Sequence, residues 1–360
     1  MKQFFILLFL FCSATWVYSQ QTENLIIITT DGFRWQEVFS GMDKEIGTDK
    51  RFNQDDSLNL FQKYWDDDVA VRRKKLLPFL WNTIAVKGQV YGNRLLNNKL
   101  DVSNPYWFSY PGYSEIMCGF VDTAVNKNEY KANPNTTVLE FFNKQKRLKG
   151  RVAAFAAWDA FNRILDEKKS GIPVIAAYEH FGGKYPSSNE RLINTMLDNA
   201  HKAWTEESFD VFTHYGAMEH LKTKKPRVLF ISYGETDEFA HGRDYKYYLN
   251  SAHQVDAWVK EIWDFVQSDP QYRNKTTLLF TTDHGRGDKE KYKWTSHGRS
   301  VDGANEIWMA ILGPGTPASG EMKNNVQLYQ KQFAQTLSKL MGYTFKAEHS
   351  VADEIKTAIK

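Results

Sequence analysis

Three clusters of acidic and histidine residues, each set just beyond an apolar, β-branched run, are where this chain could do chemistry. Asp31 follows residues 25–30 (LIIITT). Asp283-His284-Gly285 follows residues 277–282 (TLLFTT). Asp237 and His241 come shortly after residues 228–232 (VLFIS). In open α/β proteins the carboxyl ends of parallel strands face one crevice, and ligands bind there. Asp and His arriving together at such a crevice can hold metal ions.

Each cluster has an ordinary reading when taken singly. Asp283-His284-Gly285 could be a turn with a capping Asp and a surface His, although Gly285 also allows a sharp turn that points two ligands at one ion or at two. Asp237 and His241 stand four apart, on one face of a helical turn. Their mixture of oxygen and nitrogen suits zinc and related ions. The neighbouring Glu235 and Glu238 read as solvated acids. His297, in Thr295-Ser296-His297-Gly298, is a third imidazole that would be a plain loop residue on its own.

A hydroxyl nucleophile is available between these clusters. Residues 110–119 (YPGYSEIMCG) read as a Pro-Gly turn into a short helix, with Ser114 near its N-terminus. Free N–H groups and the helix dipole favour an anion there, and metal coordination makes a serine alkoxide accessible. An N-cap serine is the plain alternative. Cys118 reads as a small buried hydrophobe.

The elements that must position these residues alternate. Residues 25–30, 151–157, 172–177, 228–232, 277–282 and 308–312 read as strands, and 93–102 could be another. Residues 76–86, 138–142, 190–204 and 251–266 carry helical apolar spacing. The expected fold is therefore α/β, a mostly parallel central sheet with helices on both faces. Residues 40–73 are charged and loop-rich, and read as an insertion or lid within one domain spanning residues 21–360.

With 360 residues, 42% hydrophobic and 25% charged, the chain can build a large core. A net charge of +3 gives no case for nucleic-acid binding. Residues 1–20 read as an export signal: Lys2, then an apolar run over residues 4–11, then Val17-Tyr18-Ser19 before a cut near Gln20 or Gln21. The run is short for a span, which needs about 20 apolar residues. No later segment reads as a membrane span, so a periplasmic or secreted protein is expected. Cleavage would leave Cys118 as the single cysteine, with no internal disulfide.

Taken in order, Asp31, Ser114, Asp237-x-x-x-His241, Asp283-His284-Gly285 and His297 resemble the alkaline phosphatase superfamily, most closely its phosphodiesterase and nucleotide pyrophosphatase branch. The resemblance spans Asp31 to about Gly315. It implies an alkaline-phosphatase-like fold and two metal ions, zinc first and manganese as the variant. One ion would be held by Asp31, Asp283 and His284 with Ser114 as fourth ligand and nucleophile, the other by Asp237, His241 and His297. The implied activity is hydrolysis of a small-molecule phosphate ester through a phosphoserine. Ala240 stands where the family often has glycine. The family's phosphate-binding Asn has four candidates, Asn126, Asn128, Asn133 and Asn135, of which Asn128 is chosen. Lys127, Arg286 and Arg299 are candidates for a cationic clamp.

Sulfatases share this fold, but their signature is Cys or Ser followed by x-Pro-x-Arg. Neither Ser114 nor Cys118 is followed that way. A phosphomutase or a sulfo- or phosphono-ester hydrolase on the same scaffold is the alternative within enzymes. A catalytically inactive metal-binding surface protein is the alternative outside them; all seven expected ligand positions are filled, which counts against it.

Overall fold

Along strand β1 (Asn24–Thr30) all seven residues are buried. Leu25 and Ile27 enter one core cluster, Ile26 and Ile28 the other. A strand covered on both faces reads as an unbroken apolar run, which is why these segments stood out. Each such side chain contributes roughly 1.5–3 kcal/mol by leaving water. The structure, a computed structural model, describes residues 22–53 and 57–360. The export-signal reading falls on residues outside these.

The remaining strands are β2 (Gln89–Tyr91), β3 (Asn98–Asp101), β4 (Val152–Ala156), β5 (Val174–Ala176), β6 (Val228–Tyr233), β7 (Thr276–Thr281), β8 (Met309–Leu312), β9 (Gly320–Glu321) and β10 (Val326–Tyr329). Eight form one sheet in the order β5-β4-β6-β1-β7-β8-β2-β9. Pairing is parallel from β5 through β7. β8 runs antiparallel to β7, and β2 antiparallel to β8. β3 and β10 form a separate parallel pair. One face of the sheet is covered by helices Trp35–Ser40, Asp210–Thr223 and Tyr245–Ser268, the other by Ser109–Cys118, Val138–Lys144, Phe161–Ile164 and Phe333–Leu340. The α/β class with a mostly parallel sheet is therefore observed.

Several boundaries differ from the sequence reading. The helix expected over residues 190–204 runs Ser188–Asn199, starting from a capping box made by Ser187 and Glu190. Residues 76–86 are not one helix: a helix ends at Leu76, and after a break at Leu77 Leu80–Ile84 form a π-helical turn whose entry is held by the buried Asp256 carboxylate, which accepts from the N–H groups of Phe79 and Leu80 at 2.7 and 2.8 Å. Only residues 98–101 of the segment 93–102 are strand. The charged stretch 40–73 is not loop throughout. It includes helices Lys44–Thr48 and Ser57–Tyr64, and Met42, Ile46, Phe52, Leu60 and Tyr64 pack into the core beneath the Tyr245–Ser268 face. Among the described residues no helix is long and apolar enough to cross a membrane.

Candidate metal centre

Because β6, β1 and β7 are adjacent and parallel, their carboxyl ends lie side by side. Asp31 leaves β1, Asp283 and His284 leave β7, and the helix Glu235–His241 begins one residue after β6. The turn into that helix is pinned by buried Asp210, which accepts from the N–H groups of Gly234 (2.7 Å) and Glu235 (3.2 Å). Glu235 in turn accepts from Asp210 N–H and the Ser251 hydroxyl. Glu235 and Glu238 are thus half-buried rather than the solvated acids the sequence suggested. Gly32, at φ +57°, sits where a Cβ would fall 2.8 Å from Asp237 Oδ1 and 2.9 Å from the His284 ring. Its lack of a side chain lets the two halves of the site meet.

The inner half comprises Asp31, Asp283 and His284, all buried, with ligand atoms within 4.8 Å of one another. His284 Nδ1 lies 2.9 Å from the Gly285 carbonyl, which an N–H at that position would satisfy. Its Nε2 lies 3.3 Å from Asp31 Oδ1 and 3.6 Å from Asp283 Oδ2. A fixed Nδ1–H leaves Nε2 as the metal-facing nitrogen. Asp283 Oδ1 accepts from Gly32 N–H at 3.1 Å, whereas Oδ2 is buried with no hydrogen-bond partner. Tyr113 donates its hydroxyl to Asp31 Oδ2 at 3.0 Å and accepts from Ser232, which accepts from Thr29.

The outer half comprises Asp237, His241 and His297. Asp237 Oδ2 is 3.1 Å from His241 Nε2, and its Oδ1 is 3.7 Å from His297 Nε2. The two imidazole Nε2 atoms face each other at 2.9 Å. The His241 side chain is 47% exposed, against 0% for His284. Arg286 also pairs with the Asp237 carboxylate.

Charge in this pocket is unbalanced. Burial, with Asp31 alongside, pushes the Asp283 carboxyl up to about 7. Burial opposes charge on His284, yet Asp283 and Asp31 outweigh it and raise that imidazole to about 9. Burial, followed by His284, Arg286 and His241, holds His297 well below its usual value. Burial and His284 lower His241. Burial thus disfavours charge on the outer imidazoles and on the Asp283 carboxyl, whose unsatisfied Oδ2 a cation would engage. The orphaned Asp283 oxygen, the opposed nitrogens and the mixed O/N donors fit divalent-cation binding.

The serine beside these ligands is Ser109, not Ser114. Ser109 Oγ lies 3.4 Å from Asp31 Oδ1 and 3.3 Å from His284 Nε2. It is the first residue of helix Ser109–Cys118, so the N-terminal N–H groups surround it. Ser114 lies more than a turn further on. Its hydroxyl accepts from Asn133 Nδ2 at 3.0 Å and sits 3.8 Å from Cys118 Sγ. The misreading came from Pro111-Gly112, taken as a turn before the helix. Proline is well tolerated in a helix's first turn, where its missing N–H is not needed. That placement of Pro111 was the signal for a start at Ser109. Gly112 rests against β7's exit, where a Cβ would fall 2.6 Å from the Asp283 carbonyl oxygen.

Asn128 lies beside the serine, its Oδ1 accepting from Tyr110 N–H at 3.0 Å. Asn133 is engaged with Ser114 and Asn135 with Asp122. Of the candidate cations, Arg286 is buried in the site, whereas Lys127 and Arg299 are exposed.

The fold is alkaline-phosphatase-like, shared with several solved structures. The wild-type alkaline phosphatase PafA superposes with a TM-score of 0.63 and 10% identity, covering 94% of this chain and 99% of its own. A putative sulfatase from Bacteroides thetaiotaomicron gives 0.57 at 13% identity over 94% and 75%, and the phosphonate monoester hydrolase of Agrobacterium radiobacter 0.57 at 11% over 94% and 77%. The family model of the Metalloenzyme superfamily matches residues 197–339, which hold Asp237, His241, Asp283, His284 and His297. No curated protein matches the sequence.

Proposed function

We propose that this chain is an exported, metal-dependent hydrolase of phosphoric esters that works through a covalent phosphoserine on Ser109. The observation that carries the reading is Ser109 Oγ, at a helix N-terminus, within 3.4 Å of both an inner carboxylate and an inner imidazole. Asp31, Asp283 and His284 would hold one divalent ion and Asp237, His241 and His297 the other, zinc first and manganese second. When bound, the ions would supply positive charge at the attacking and leaving oxygens.

The protein's own groups do the rest. Ser109, having given up its proton, attacks phosphorus as the ester oxygen departs with the bonding pair. Asn128, fixed through its Oδ1, turns its amide N–H groups to a phosphoryl oxygen. Water then attacks the phosphoserine, the P–Oγ bond breaks, the phosphate product leaves and Ser109 Oγ regains a proton from water. Positioning and charge neutralisation supply most of the acceleration. The N-terminal apolar segment supports export, and residues 21–360 serve as one catalytic domain.

Sulfate-ester chemistry is the second reading, favoured by one observation. Ser109-Tyr110-Pro111-Gly112 fits the sulfatase signature up to its last position, where Tyr113 replaces arginine. Tyr113 instead holds Asp31, so an unmodified serine is the nucleophile here.

The test uses the mature protein loaded with zinc or manganese, assayed on chromogenic phosphate mono- and diesters and a sulfate ester. Ser109→Ala should cost at least ~10³-fold in kcat with metal content unchanged, and Ser114→Ala only a few-fold. Near-normal turnover in Ser109→Ala would end the covalent reading. A preference for the sulfate ester would move the substrate class.

A further inference from the structure

Trp107 adopts φ +54°, a backbone conformation that bulky residues avoid. Strain of this kind persists where the surroundings over-determine it. Here they do. The Asn104 side-chain oxygen accepts from the N–H groups of Tyr106 (3.0 Å) and Trp107 (3.2 Å). Asn104 is itself clamped by Glu115, a fully buried carboxylate. Glu115 accepts from Asn104 N–H (2.8 Å) and Nδ2 (3.0 Å), from Ser103 N–H, and from Lys331 N–H on another element. Glu115 belongs to the Ser109–Cys118 helix, so the brace ties the strained loop to the helix the loop introduces.

Two chemically separate parts of the site depend on that loop. The Trp107 carbonyl lies 3.4 Å from His297 Nδ1. An N–H held there leaves Nε2 facing His241 and Asp237. Two residues on, the same loop delivers Ser109 to Asp31 and His284.

We infer that Trp107 is a positioning residue: its strained backbone, locked by Asn104 and Glu115, fixes the tautomer of His297 in the outer half and the approach of Ser109 to the inner half together. This rests on the metal-dependent reading above. The ring of Trp107 is incidental to the role and its backbone is what matters. Glycine, which takes positive φ freely, should therefore replace it, whereas loss of the Asn104 clamp should not be tolerated.

The experiment titrates metal-free full chain with zinc by calorimetry and reads His297 by ¹⁵N NMR in the zinc-loaded state. Wild type should take up two ions and show His297 protonated on Nδ1. Asn104→Ala should weaken one ion about 10–100-fold, the usual effect of losing an outer-shell partner, leave the other unchanged, and lose the Nδ1–H form. Trp107→Gly should keep both ions within about threefold and retain Nδ1–H. Wild-type affinity for both ions in Asn104→Ala would overturn the inference. So would a Trp107→Gly variant as weak as Asn104→Ala. If Asn104→Ala does not fold, the wild-type spectrum decides, since His297 protonated on Nε2 sinks the proposal. A wild type that binds zinc with His297 as expected but hydrolyses no phosphate ester would overturn the substrate reading and leave this one standing.

Discussion

The two halves of the site are built from the same residue types but differ in how they are held. Asp31, Asp283 and His284 are buried, and each is tied to a backbone group or to Tyr113. His241 is half open to solvent, and His297 is held by the Trp107 carbonyl and by stacking on the His284 ring. Burial at the inner half raises the stakes of losing a ligand and favours the protonated Asp283 carboxyl. An ion there would be slow to exchange and would serve the nucleophile. The outer half, with His241 half exposed, is the one a substrate oxygen would reach under the proposed function, and it should tolerate more change.

That contrast can be broken in several ways. Asp283→Asn should abolish inner-ion binding and lower kcat by roughly 10³-fold. His241→Ala should weaken only the outer ion, with activity partly recovered by excess zinc. Equal losses measured by metal analysis of the two variants would erase the distinction. Asn128→Ala should cost about 10²-fold in kcat/KM, the scale of one lost oxyanion donor, with both ions retained. Tyr113→Phe removes the hydroxyl from Asp31 and should weaken the inner ion about tenfold. The outer ion should be untouched, as competition with a chelator would show.

The smallest effect is on stability against pH. Asp283 titrates near 7 and His284 near 9 in the folded protein, both above their unfolded values near 4 and 6.5. Groups raised in this way favour the folded state at low pH and lose that contribution as pH climbs through the folded value. Metal-free protein should therefore lose part of its melting temperature between about pH 5 and pH 9. Zinc should reverse that slope, because ligands bind the ion once deprotonated. Parallel melting curves with and without zinc would contradict the protonation assigned to the inner half.

What could be read from the chain depended on distance along it. Asp31, Asp283 and His284 directly follow their strands, and Asp237 and His241 share one helical face, so local pattern exposed them. Ser109 was hidden because Pro111 signals a turn as readily as a first helical turn, and Ser114 offered the same side chain a turn later. Asp210, Tyr113 and the Glu115–Asn104 clamp were invisible for a different reason. Their partners are Gly234, Asp31 and Lys331, brought close only by the sheet order and helix packing. Glu235 looked solvated because charge suggests surface, whereas the reciprocal backbone hydrogen bonds it shares with Asp210 let it lie half-buried.

Gly112 carries a consequence for how this chemistry could drift. It leaves no gap between the serine's helix and the chain carrying Asp283, so a single added methyl would have to prise the two apart. Reaction rates at such centres fall by about 10²-fold per ångström of misplacement. An alanine there would shift the Ser109 helix away from Asp283 while leaving every proposed ligand and the proposed nucleophile in the sequence, a throttle seated behind the site.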